Sequence, residues 1–267
     1  MLFLAFLGAM NLAGWLARRQ KLNPEVIYDL ALWVFIGGLV GARLFYVIQY
    51  WGVRVHSFAE IFRVWEGGIV LYGSIIGGTI CFFLYWAMRP FPLRPILDVI
   101  APALVLGIAI GRFGCFLNGC CYGDLCSLPW GVSFPQPSPP WQAQVAGNLI
   151  GSETHWSLPV HPTQIYSVID GLVLMGLLLA YFPLRRRDGE VIALLMVTYP
   201  ITRALIEYLR NDERVFMAGM TISQNISLFV FISGLIYWYR LSQWPEGRFA
   251  DTAIDEAKDQ KVSAVAS

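Results

Sequence analysis

The chain has 267 residues, of which 57% are hydrophobic and only 14% charged, against about 25% charged in an average soluble domain. A water-soluble fold of this length cannot hide so much apolar surface, which points to a membrane-embedded class. The net charge of +1, with no basic tail or lysine-rich stripe, gives no footprint for nucleic acid.

Apolar runs long enough to cross about 30 Å of hydrocarbon recur along the chain. In order they cover 1–17, 29–50, 68–88, 97–117, 164–183, 189–210 and 221–241. The pattern predicts an all-α, polytopic integral membrane protein with about seven transmembrane helices. The first run has its positive cluster after the apolar stretch and no small-residue cleavage site, so it reads as a retained span and not as a signal peptide. The sixth is interrupted by Arg203, Glu207 and Arg210 in its second half.

Arginine and lysine alternate in the connections. Arg18, Arg19 and Lys21, then Arg89 and Arg94, then Arg185, Arg186 and Arg187, and finally Arg240, Arg248, Lys258 and Lys261 form one set. The intervening connections hold Arg54 with Arg63, none, and Arg210 with Arg214. Because positive loops stay cytoplasmic, the N-terminus is expected outside and the C-terminus in the cytoplasm. Residues 1–244 then form a single transmembrane domain with an outer loop over 118–162, and 245–267 a disordered cytoplasmic tail. The outer loop carries Trp130, Trp141 and Trp156 with Pro135, Pro137, Pro139 and Pro140, suiting a folded cap at headgroup level.

Removing loop and tail charges leaves Arg43, Arg112 and Arg203 within or at the outer ends of spans. An arginine near a span centre costs about 2.5–3.5 kcal/mol on insertion scales, so each requires a partner or a polar cavity. A guanidinium fork matches phosphate oxygens, and the substrate class suggested is an anionic lipid. The competing reading is internal pairing: Arg203 and Glu207 are four apart on one helix face, and Glu207 and Arg210 three apart.

Three further stretches carry polar or glycine-rich chemistry. Gly111 to Gly123 reads Gly-Arg-Phe-Gly-Cys-Phe-Leu-Asn-Gly-Cys-Cys-Tyr-Gly, where dense glycine lets the backbone approach a ligand and leaves amides to point at an anion. His161-Pro162-Thr163-Gln164-Ile165-Tyr166 opens the fifth span, with proline suited to a first helical turn and a histidine fit either to shuttle a proton or to cap the helix. Trp65 to Ser74 enters the third span, placing Tyr72 about one turn deep. Four of the five cysteines, Cys115, Cys120, Cys121 and Cys126, cluster at the end of span four. They lack paired C-x-x-C knuckles, so no metal site is expected; an outside location leaves a disulfide with Cys126 and simple packing as the two readings. No nucleotide loop or haem site is present, and no cofactor is expected.

Together, Trp65 to Gly73, Gly111 to Gly123, His161 to Tyr166 and Arg203 to Arg210 resemble the bacterial prolipoprotein diacylglyceryl transferases, from about Gly37 through the last span. The resemblance implies transfer of a diacylglyceryl group from phosphatidylglycerol to the lipobox cysteine thiol of a prolipoprotein, in the bacterial inner membrane with the site toward the outer leaflet. It implies catalytic roles for Arg112, Arg203, Tyr72 and His161, with the two arginines on the phosphate. It implies substrate-binding roles for Arg43, Asn118, Gly119, Gly123, Gln164, Tyr166, Glu207 and Arg210, with Glu207 orienting Arg203. The partners implied are the membrane lipid and the signal-peptide region of the precursor. Where the best-known members have His-Gly-Gly this chain has Tyr72-Gly73-Ser74, and where they have asparagine and glutamate it has Cys115 and Cys120. Histidine titrates near about 6.5 and a phenol near about 10, so a tyrosine acts as base only beside positive charge. The alternatives are a divergent relative acting on another lipid or acceptor, and a transporter or lipid binder without chemistry.

Overall fold

The computed structural model describes residues 1–51, 68, 70–210, 215–217 and 220–251, and for 71, 215–217 and 220 the backbone alone. Trp65, Glu66, Gly67 and Ile69 of the third expected stretch, Arg54, Arg63 and Arg214, and 252–267 of the expected tail lie outside the described residues.

Seven long helices follow the seven apolar runs: α1 (Leu2–Arg19), α2 (Pro24–Tyr50), α3 (Leu71–Met88), α4 (Leu93–Asn118), α6 (Thr163–Tyr181), α7 (Glu190–Glu207) and α8 (Ile222–Ser242). A short α5 (Pro139–Ala146) lies in the connection after α4, and two short antiparallel strands, β1 (Val215–Met217) and β2 (Met220–Thr221), precede α8. Among the described residues, α2, α4, α6 and α8 are long and apolar enough to cross a membrane, and Tyr72–Met88 forms a shorter apolar helix. The protein is therefore a helical membrane protein. The run expected to reach 210 stops as helix at Glu207 and continues as a turn.

Local chemistry sets several ends. Asn23 accepts a hydrogen bond from the Glu25 amide at 2.9 Å, and Pro24 occupies the first turn of α2, where its missing N–H costs nothing. Gly119 ends α4 in the left-handed region, φ 69°. Thr221 and Gln224 close a reciprocal capping box at the start of α8, satisfying two otherwise orphan donors.

The helix pairs α1/α4, α2/α3, α4/α6 and α7/α8 run antiparallel. A Cβ on Gly37 would strike the Cys81 side chain and one on Gly41 the backbone of Gly73 and Gly77, so small residues let α2 and α3 touch backbone to backbone. Similar approaches pair Gly8 with Ile110 and Gly114 with Met1 across α1 and α4, Gly171 with Ala109 across α6 and α4, and Gly234 with Met196 across α8 and α7. The core is aliphatic, with Ile96, Val99, Val105, Leu178 and Val191 fully buried. Large apolar side chains such as Ile48 and Phe229 face outward at 77% and 72% exposure, which suits a hydrocarbon surrounding.

The antiparallel order gathers the start of α1, α3, α6 and α8 and the end of α2, α4 and α7 at one pole. At the other pole Asp98, fully buried, accepts from the Gly189, Val191 and Ile192 amides at 2.8, 3.0 and 3.0 Å and pairs with Arg185 at 3.2 Å. It caps the start of α7 and ties it to α4. Part of the expected disordered tail is described here: the Gly247 amide donates to the Arg186 carbonyl, and the Phe249 amide to Asp188 at 2.7 Å.

Candidate active site

The connection from α4 to α6 folds over the first pole. Strand-like bridges join Leu125 and Val132 to Val160, and Pro135 to Trp156. Trp141 donates to the Thr154 carbonyl at 2.7 Å, and Gln144 exchanges hydrogen bonds with Leu158. This is a folded cap with its own polar closure.

Beneath it, the end of α4 meets the start of α6. Gln164, fully buried, donates through Nε2 to the Cys120 carbonyl at 2.7 Å, and Thr163 donates to the Cys121 carbonyl at 2.8 Å. The Gly123 amide donates to the His161 carbonyl and the Asp124 amide to the Leu209 carbonyl, each at 2.9 Å. A Cβ on Gly123 would lie 2.5 Å from the Leu209 oxygen and 2.8 Å from both His161 Cβ and Thr163 Cγ2. Glycine is thus required there by the crossing of three segments.

This geometry alters the expected use of the glycine-rich stretch. The amides of Gly119, Cys120 and Gly123 are engaged by the carbonyls of Phe116, Cys115 and His161. They close the turn instead of pointing at an anion, because a chain reversing at a helix end must satisfy its own carbonyls first.

His161 Nδ1 lies 3.2 Å from the Tyr166 hydroxyl, which also accepts from Trp130 Nε1 at 2.9 Å. On the neighbouring helix end, Arg203 forms an ion pair with Glu207 and donates to the Ser223 hydroxyl at 3.1 Å. The other Glu207 oxygen accepts from Thr221 at 3.3 Å, so a carboxylate only 3% exposed is held from two helices. Arg43, 8% exposed, donates to the Gly68 carbonyl at 3.1 Å and lies over the Tyr46 ring at 5.3 Å. Arg112 is half-buried in the last two turns of α4. Among the described residues its guanidinium donates no hydrogen bond to protein, which leaves its donors available.

The cysteines are free thiols, Cys126 included, so the disulfide reading is not realised. Cys115, Cys120 and Cys121 bring their sulfurs within 4.8 Å of one another. A hydrogen bond from the Cys115 thiol, with the positive charges of Arg112 and Arg210, lowers the Cys121 thiol from its ordinary 9.0 to about 5, against the opposing effect of burial.

The structure therefore joins Gly123, His161 and Tyr166 through direct contacts, sets Gln164 on the nearby Cys120 carbonyl, and separately pairs Arg203 with Glu207. Asn118, exposed, forms the last residue of α4. Tyr72 begins α3 and is 43% exposed; among the described residues its hydroxyl makes no hydrogen bond. Sequence reasoning missed Thr221 and Ser223 as the outer support of the Arg203–Glu207 pair. The Thr-x-x-Gln pattern of a capping box was the available signal. Two clefts, of about 510 Å³ beside Arg94, Arg187 and Trp244 and about 460 Å³ among Phe6, Phe35 and Phe82, do not include these groups. The first belongs to the opposite pole and the second is apolar. The converging buried polar groups mark the site better than cavity size does.

Comparison with known proteins agrees. The family model described as prolipoprotein diacylglyceryl transferase matches residues 1–240. A Clostridium tetani protein named phosphatidylglycerol–prolipoprotein diacylglyceryl transferase is 35% identical over 238 residues, covering 88% of each chain. One from Nostoc with the same name is 32% identical, covering 86% of this chain and 80% of its own. A Clostridium perfringens protein carrying that name with the number 2 is 32% identical over 81% of this chain and 79% of its own. Matched along nearly its whole length, the chain belongs to the prolipoprotein diacylglyceryl transferase family.

Proposed function

We propose that the protein transfers a diacylglyceryl group from phosphatidylglycerol to the lipobox cysteine thiol of a prolipoprotein, forming a thioether and releasing glycerol phosphate. The carrying observation is that Arg112, the Arg203–Glu207 pair and the His161–Tyr166 pair share one pole of an apolar helix bundle under a folded cap.

The chemistry follows from that arrangement. The thiol must lose its proton, because the thiolate is the nucleophile. It attacks the glyceryl carbon, and the carbon–oxygen bond to phosphate breaks as negative charge settles on the leaving group. Fixed guanidinium donors in a water-poor place stabilise such charge strongly. Arg112 and Arg203 hold the phosphate, and Glu207 fixes Arg203 with the help of Thr221. Arg43 and Arg210 add positive potential, Gly119 and Gly123 set the turn that shapes the headgroup space, and Asn118 lies at its rim. Gln164 and Tyr166 support the floor. In the tautomer that carries its proton on Nδ1, facing the Tyr166 oxygen, His161 has a lone pair on Nε2 to take the thiol proton. Tyr72 positions the headgroup or incoming thiol.

All seven long helices span the bilayer in this reading. The pole carrying Arg18, Arg19, Arg89, Arg94 and Arg185 to Arg187 faces the cytoplasm by the positive-inside rule, which sets the site at the outer leaflet of the bacterial inner membrane and the N-terminus outside.

The test is transfer of labelled diacylglyceryl from phosphatidylglycerol to a lipobox peptide, with membranes carrying equal amounts of wild type or Arg112→Ala. Thioether product from wild type and near-total loss in the variant are expected. No product from folded wild type across several lipid donors and peptides would overturn the reading in favour of another substrate or a non-catalytic lipid binder.

A further inference from the structure

The turn after α4 is held by hydrogen bonds within its own chain segment and from α6. The Cys120 amide returns to the Cys115 carbonyl at 3.1 Å, which draws residues five apart together, and Cys121 takes a left-handed backbone, φ 62°. The carbonyls of Cys120 and Cys121 are pinned by buried Gln164 and Thr163 from α6. The sulfurs of Cys120 and Cys121 stand 3.8 Å apart, and all three lie within 4.8 Å.

These are the dimensions of a metal sphere. With metal–sulfur bonds of about 2.3 Å, sulfurs sharing one ion sit roughly 3.8–4.0 Å apart. A shift of about 1 Å or less at the remaining sulfur closes the set. The sequence spacing hides the site because it lacks a C-x-x-C knuckle; the helix-end reversal provides the convergence instead.

We propose that Cys115, Cys120 and Cys121 bind one Cu(I) ion in a three-coordinate sulfur site. Soft thiolate ligands favour Cu(I), zinc and iron–sulfur clusters. Structural zinc is almost always four-coordinate, and among the described residues no histidine, carboxylate or fourth thiol joins the group. Charge agrees with the monovalent ion: three thiolates around Cu(I) carry a net charge of −2, and two guanidiniums, Arg112 and Arg210, act on the Cys121 sulfur. On binding, each sulfur still protonated exchanges its S–H bond for an S–Cu bond and its proton passes to solvent, while a sulfur already ionised binds directly; copper enters as Cu(I) and no electron moves. The assignment does not rest on the transferase reading.

The reduced full-length protein in detergent is loaded with Cu(I) under anaerobic conditions and challenged with bathocuproine disulfonate. One copper per chain is expected to remain, with only sulfur neighbours, three of them, by X-ray absorption. The Cys81→Ser/Cys126→Ser double variant keeps it, and Cys115→Ser or Cys120→Ser loses it. Copper is also expected to protect these three thiols of the wild type from N-ethylmaleimide while Cys81 and Cys126 label as before, a reading that needs no variant. Loss of copper from wild type, retention by the triple serine variant, equal labelling with and without copper, or displacement by stoichiometric Zn(II) would each overturn the proposal.

Discussion

The Arg203 guanidinium and the Glu207 carboxylate pair across one turn of α7, with side chains 13% and 1% exposed. The pair does not stand alone: Ser223 and Thr221 reach it from the start of α8. A pair this buried has lost most of its hydration, and removing one partner leaves an uncompensated charge at a cost of about 3–5 kcal/mol. In the proposed phosphate site, these contacts aim Arg203 before any lipid arrives.

Glu207→Gln is therefore expected to lower transfer more than tenfold and to raise the lipid KM, since Arg203 loses its fixed orientation. Arg203→Lys keeps charge but loses the planar fork and is expected to fall as far. Steady-state kinetics on membranes with matched protein levels check both; a Glu207→Gln enzyme with wild-type kinetics would remove the orienting role.

Gly123→Ala forces a methyl against the Leu209 carbonyl, His161 and Thr163. Overpacking of this kind costs about 1–3 kcal/mol. A lower thermal midpoint in detergent together with a strong loss of activity is the expected outcome, and an unaltered midpoint would mean that the three segments have room to part.

Gln164→Leu deletes the donor to the Cys120 carbonyl. Leaving this part-buried acceptor unsatisfied costs up to about 1–3 kcal/mol, so the variant is expected to melt earlier and to expose Cys120 and Cys121 to faster alkylation. Unchanged melting and alkylation would show that the turn holds its shape without α6.

His161→Gln is expected to reduce kcat more than tenfold with little change in KM, because in the proposed mechanism it removes the proton acceptor and not a lipid contact. Tyr166→Phe, which takes away the oxygen facing His161 Nδ1, should give a smaller loss of the same kind. If His161→Gln retains full kcat, the residue is a helix-end support and the proton goes to water. For Tyr72→Phe a loss of at least several-fold is expected; full activity would end its positioning role.

Much of this was readable from the chain itself. Span length is a local property of consecutive apolar residues, so the runs around 29–50 and 97–117 locate α2 and α4 to within a few residues. Charge in an apolar run is also local information, and it singled out Arg43, Arg112 and Arg203. The i, i+4 spacing of Arg203 and Glu207 fixes a shared helix face before any fold is known.

Tertiary structure decided what those residues meet. Gln164 and Cys120 are separated by 44 positions, and their contact depends on α4 and α6 packing antiparallel through Gly171 and Ala109. The same packing gives the Gly123 amide its partner in the His161 carbonyl, which composition alone had left open to an anion. The three thiols converge because the backbone reverses after α4, with Gly119 and Cys121 in the left-handed region. Hydrophobic periodicity and charge are written residue by residue, and they determine a membrane helix bundle with buried arginines. Which polar groups face one another is set by helix crossings and chain reversals, where steric fit and hydrogen-bond satisfaction act over distances that no sequence window contains.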